Sequence, residues 1–164
     1  MTEQAPKSAR HAVAKALVVS GLVVVLVEAA AFCFYGTTVY DEGGYLYEGW
    51  LVVRHGWLPF RDFYTKLPPL IYWLYGLGQA ACGPGLLVGR LQAVLMTLGM
   101  LALSAALARR LAGKWAAVLV VWLFALSPAA VNAYFHAHSQ APTALFVVLA
   151  WYFLLWPHPA GWAR

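Results

Sequence analysis

Two acids stand side by side at Asp41-Glu42, just past an apolar run of membrane-spanning length. A carboxylate held there can act as general base toward an acceptor hydroxyl or amine. An adjacent pair of carboxylates also suits a hard divalent cation. The plainer alternative is helix chemistry, with Asp41 as an N-cap and Glu42 favouring the positive end of the helix dipole. Lys66 precedes Leu67-Pro68-Pro69. An ammonium fixed by rigid backbone at an interface is a natural partner for a lipid phosphate, and otherwise an anchoring lysine that snorkels. Arg90 lies about one turn into another apolar run, where a charge is costly without a partner. It either snorkels or joins Lys66 at a phosphate. His136-Ala137-His138 could serve a metal or an acceptor loop if Asp41 or Glu42 comes near, and is otherwise a polar loop. Glu28, inside the first apolar run, is the acid a transporter would use for ion coupling. Cys33 and Cys82 have no metal-type spacing and read as buried thiols.

The elements that must position these residues are set by composition. Of 164 residues, 63% are hydrophobic and 10% charged, against about 25% charged in soluble domains. Together with a mean hydropathy of +0.69, this excludes a disordered chain, a nucleic-acid-binding domain and an ordinary cytosolic enzyme. An all-α integral membrane protein remains. Apolar runs place four transmembrane helices at about 16–35, 86–108, 115–135 and 141–156. Residues 1–15 and 157–164 read as cytoplasmic tails, and 16–156 as the membrane domain. The segment 36–85 reads as an outer loop with an amphipathic helix over Tyr45–His55 and a short re-entrant or interfacial helix within 67–82, which Pro68, Pro69, Gly76 and Gly78 interrupt. Its tyrosines and tryptophans read as an interfacial belt, with a sugar-stacking platform as the alternative.

The basic residues choose the topology. If 67–82 does not cross, Lys7, Arg10, Lys15, Arg109, Arg110, Lys114 and Arg164 lie inside, and Arg54, Arg61, Lys66 and Arg90 outside. That satisfies the positive-inside rule, and a crossing 67–82 would reverse the majority. The N-terminus is then cytoplasmic. Asp41, Glu42, Lys66, Arg90, His136 and His138 gather at the outer, periplasmic face of a multi-pass plasma (inner) membrane protein.

In order and spacing, Asp41-Glu42-Gly43, the stretch His55-Gly56-Trp57-Leu58-Pro59-Phe60-Arg61-Asp62-Phe63-Tyr64, Lys66-Leu67-Pro68-Pro69-Leu70 with Tyr72-Trp73-Leu74, and Arg90-Leu91 resemble the N-terminal portion of GT-C glycosyltransferases. The family 39 group, with the protein O-mannosyltransferases and the aminoarabinose transferase of lipid A, is the nearest likeness, over roughly residues 12–156. The resemblance implies transfer of a sugar from a polyprenyl-phosphate donor to a lipid, glycan or protein acceptor at the outer face. It casts Asp41 as the catalytic acid and Lys66 as the donor-phosphate ligand, to which the residues themselves add Glu42 as the second acid of a catalytic pair and Arg90 as a second phosphate contact. Relatives often carry another acid where this chain has Gln140, and some have the lysine directly before Pro-Pro. A divalent cation is the cofactor such acids could hold. The implied partners are the lipid-linked sugar, membrane lipid and other membrane chains, and no nucleic acid. A non-catalytic membrane subunit, a degenerate copy and a small transporter are the rival readings.

Overall fold

The computed structural model describes residues 7–38 and 40–155. The expected N-terminal residues 1–6, the last residue of the fourth run and the tail 157–164 lie outside the described residues. Among the described residues seven helices follow one another: α1 (Lys7–Tyr35), α2 (Tyr40–His55), α3 (Leu70–Cys82), α4 (Leu86–Ala112), α5 (Lys114–Ala125), α6 (Pro128–Phe135) and α7 (Gln140–Leu154). Among the described residues the only extended pairing is a single bridge, Pro59 with Phe63.

Among the described residues two stretches, Ser8–Tyr35 and Leu86–Ala112, are helices long and apolar enough to cross a membrane. Helix α1 begins at Lys7, ahead of the start at residue 16 expected for the span, because Ala9, Ala12 and Ala14 are strong helix formers that extend the apolar helix into its basic flank. The run expected at 115–135 is not one straight helix. It breaks between Ala125 and Pro128 and bends by 77° into α6, so α5 and α6 make a third span only if the bent pair is taken as one. Pro128 ends the preceding helix and opens the next, where the Ser127 hydroxyl accepts from the Ala130 N–H. Helix α7 is apolar but has 15 described residues. Helix α3 has 13 residues, about 20 Å of rise, well short of the ~20 residues a crossing requires.

Helix α4 is the axis of the fold and packs against each of the other six described helices, most extensively α5 and α7. Two apolar clusters flank it. One joins Val25 and Ala29 of α1, Val94 and Leu101 of α4, Val121 and Ala125 of α5, and Phe135. The other joins Leu46 and Val52 of α2, Tyr72 and Tyr75 of α3, Ala93 of α4, and Ala137 and Ala141. Small residues allow close approach, as membrane helix packing requires. Helices α2 and α3 cross backbone to backbone at Gly49 and Gly76, where a Cβ on Gly49 would sit 2.7 Å from the Tyr72 carbonyl oxygen. Across α1 and α5, the Trp122 indole N–H donates to the Leu17 carbonyl at 2.9 Å.

Candidate functional site

Helix α2 starts at Tyr40, so Asp41 and Glu42 occupy its first turn, and Gly43-Gly44 are helical. The carboxylates there favour the helix dipole. Successive residues on a helix point about 100° apart. Burying one of the pair therefore turns the other outward. Glu42 is the buried one, fully enclosed, while the Asp41 side chain is 54% exposed.

Glu42 meets Arg90, itself 2% exposed, through two bonds: Arg90 Nε donates to Oε1 at 3.0 Å and Nη2 to Oε2 at 3.1 Å. The rest of the guanidinium caps the end of α1. Nη1 donates to the Phe32 and Gly36 carbonyls, each at 3.1 Å, and Nη2 to the Thr37 carbonyl at 2.9 Å. A guanidinium has five N–H groups, and all five are used here. Its plane also lies over the Phe32 ring, 5.0 Å from the centroid. Glu42 Oε1 accepts in addition from the Ala137 N–H at 3.0 Å. The pair thus ties together the end of α1, the starts of α2 and α4, and the segment before α7. The expectation that Arg90 meets a donor phosphate does not fit this geometry, since no donor is left over. Nor does a catalytic Glu42, whose oxygens face Arg90 and Ala137 rather than a cleft.

The histidine pair is split as well. His136 is buried, with both ring nitrogens directed at backbone carbonyl oxygens, Nδ1 at Asn132 (2.6 Å) and Nε2 at Thr37 (3.1 Å). His138 faces the other way. Its Nε2 lies 3.7 Å from Asp41 Oδ2, its ring packs edge-on against Tyr45, and its carbonyl accepts from the Tyr75 hydroxyl at 2.8 Å. A cation held by the acid pair and the histidines is not supported by this donor set. Glu42 and His136 are both committed elsewhere, and among the described residues no group of three or more His, Cys, Asp and Glu is placed to hold a metal.

Asp41 and Lys66 line one cleft of about 560 Å³ between α2 and the loop ahead of α3. Tyr45, Glu48, Tyr64, Thr65 and Tyr72 complete most of its wall. The loop is built by the segment His55 to Tyr64. Asp62 accepts from the Leu58 N–H at 2.8 Å, Phe60 takes φ +68°, and the Phe60 N–H returns to the Phe63 carbonyl at 2.9 Å. The Arg61 guanidinium and the Leu58 N–H hold the Asp62 carboxyl below the usual carboxylate range. Phe63 then packs edge-on against Tyr72, and the buried Thr65 hydroxyl bonds to the Tyr72 hydroxyl. Lys66 emerges from this anchored loop exposed, with no ion pair or hydrogen bond among the described residues.

Glu48 is the cleft residue that sequence reasoning missed. It lies seven residues after Asp41, two helical turns on the same face, and that spacing was the available signal. Desolvation pushes its carboxyl above the usual range. Glu28 is partly buried in α1, and one of its oxygens, Oε2, is buried with no hydrogen-bond partner among the described residues. It belongs to neither the cleft nor the Glu42–Arg90 pair. Cys33 and Cys82 are free, with Cys82 exposed rather than buried as expected.

Residues 66–159 match the family model described as dolichyl-phosphate-mannose-protein mannosyltransferase. No curated protein and no solved structure matches the chain.

Proposed function

Since the chain belongs to the dolichyl-phosphate-mannose-protein mannosyltransferase family, and so is a membrane glycosyltransferase of GT-C type, we propose that its cleft moves a sugar from a polyprenyl-phosphate donor to a lipid, glycan or protein acceptor. The observation that carries this reading is the shared cleft, lined by an exposed carboxylate, Asp41, and by an ammonium, Lys66, that has no ion-pair partner among the described residues. The acceptor hydroxyl or amine attacks the anomeric carbon and its proton passes to Asp41. The bond from that carbon to the phosphate oxygen breaks, and the lipid phosphate departs with an added negative charge. Lys66 offsets that charge. His138, 3.7 Å from Asp41, orients the carboxylate. Glu42 and Arg90 are positioning residues, and their pairing turns Asp41 toward the cleft.

In the membrane, α1 and α4 cross, α5 with α6 forms a bent third span and α7 a fourth, while α2 and α3 lie at the outer face of the plasma membrane. The positive-inside count and the shortness of α3 support this arrangement. The rival ion-coupled carrier rests on the unpartnered oxygen of Glu28.

A donor-binding measurement beside a single-turnover transfer measurement tests the assignment of roles. Lys66→Gln should weaken polyprenyl-phosphate binding. Asp41→Asn should leave that binding intact and slow transfer. If Glu28→Gln abolishes function and these two variants behave as wild type, the carrier reading replaces this one.

A further inference from the structure

At the opposite end of the bundle from the Asp41 cleft lies a second concavity, of about 410 Å³, between α1, α4 and α5. Four basic side chains line it: His11 and Lys15 from α1, Arg109 from the last turn of α4, and Lys114 from the first turn of α5. The rest of its wall is small and apolar, with Ala14, Ala105, Ala106 and Ala117 leaving room that larger side chains would fill. The turn between α4 and α5 brings Arg109 and Lys114 together. Gly113 adopts φ +88° and donates its N–H to the Arg109 carbonyl at 3.0 Å, a backbone form that glycine takes without strain.

Nothing within the described residues neutralises this cluster. Their acids are Glu28, Asp41, Glu42, Glu48 and Asp62, and none lines the pocket. No ion pair among the described residues includes Lys15, Arg109 or Lys114. Three like charges from three helices converge on one cavity at a cost in mutual repulsion. A bound anion removes that cost. Arg109 is 19 residues along α4 from Arg90, about 28 Å by helix rise, so the pocket sits near the other surface of a ~30 Å hydrocarbon layer. An apolar floor under a basic rim at that depth matches a phosphate group whose attached chains lie along the helices.

We propose that this pocket is a binding site for a phosphate-bearing anion, distinct from the transfer cleft. Lys15, Arg109 and Lys114 form the charged contacts and His11 a further ring-nitrogen contact. The assignment stands or falls independently of the proposed transferase chemistry, because it uses none of the same residues.

The test uses the full chain in detergent, with phosphatidylglycerol, phosphatidylcholine or inorganic pyrophosphate added, and reads bound molecules by native mass spectrometry. Wild type should retain an anionic phosphate species over phosphatidylcholine. Lys15→Gln/Lys114→Gln should weaken binding about 5-fold per cation removed, about 30-fold for the pair, while Arg54→Gln at the other end of the bundle changes nothing. Retention of phosphatidylglycerol that pyrophosphate does not displace identifies a lipid headgroup. Binding of pyrophosphate alone identifies a soluble phosphate. Should the double variant fail to fold, His11→Gln/Arg109→Gln carries the same comparison. Equal retention of phosphatidylglycerol and phosphatidylcholine by wild type, or anion binding that these substitutions do not weaken, overturns the proposal.

Discussion

Replacing Arg90 with methionine removes a side chain that is 2% exposed and makes five close hydrogen bonds. Glu42 stays behind, fully buried, with the Ala137 N–H as its remaining partner. The carbonyls of Phe32, Gly36 and Thr37 lose the donors that satisfied them. Breaking a buried pair by removing one partner costs about 3–5 kcal/mol. At about 2–4 °C per kcal/mol for a chain of this size, the unfolding midpoint should fall by roughly 6–20 °C. Glu42→Leu should cost a similar amount, because it strands the guanidinium. Glu42→Leu combined with Arg90→Met removes both charges, so its loss should be smaller than the sum of the single losses, with coupling of about 2–3 kcal/mol. The assay is thermal unfolding of the purified chain in one detergent, across wild type, both single variants and the double variant. Additive losses, or an Arg90→Met midpoint equal to wild type, would mean that Glu42 and Arg90 do not form a stabilising buried pair. If instead Arg90→Met keeps its stability and loses donor affinity, Arg90 is a phosphate ligand after all.

Lys66→Gln should weaken donor binding by about 10- to 100-fold, the worth of one charge-assisted hydrogen bond, without shifting the unfolding midpoint, and a donor titration checks both. Gly76→Ala should destabilise by about 1–3 kcal/mol, because its Cβ meets the Gly49 backbone where α2 and α3 cross, and chemical denaturation reads the loss. Glu48 has a folded-state value raised by desolvation, so its contribution to stability is fully present below the unfolded value near pH 4.5 and is lost as pH rises through the folded value. Glu48→Gln should therefore raise the unfolding midpoint at pH 8 relative to wild type and flatten its pH dependence between pH 4 and 8, as thermal scans across pH would show.

Apolar run length located α1 and α4 and the approximate positions of the later helices, since a spanning helix leaves a long unbroken signature. It could not show the 77° bend between α5 and α6. Pro128 was visible in the sequence, but the angle depends on how α6 packs against α1 and α4. Asp41 and Lys66 were legible as candidates because one follows the first apolar run and the other opens the Leu67-Pro68-Pro69 segment, and they share a cleft. The division of labour within Asp41-Glu42 was not legible. Which of two adjacent acids is buried depends on where Arg90, 48 residues on from Glu42, finds its partner. The amphipathic helix was expected over Tyr45–His55, after Gly43-Gly44, yet α2 begins at Tyr40 and takes in both of these weak helix formers. The Glu42–Arg90 pair and the burial of Leu46 outweigh the local cost. Glu48 escaped notice because its importance lies in its distance from Asp41, not in any motif of its own.

The most direct test of the central claim is the rate of sugar transfer from a polyprenyl-phosphate donor, at saturating donor, for wild type and Asp41→Asn in the native membrane protein. The substitution keeps size and removes the base. The rate should fall by about 10²- to 10⁴-fold, with donor affinity and unfolding midpoint unchanged. A transfer rate equal to wild type would contradict the assignment of Asp41 as the base.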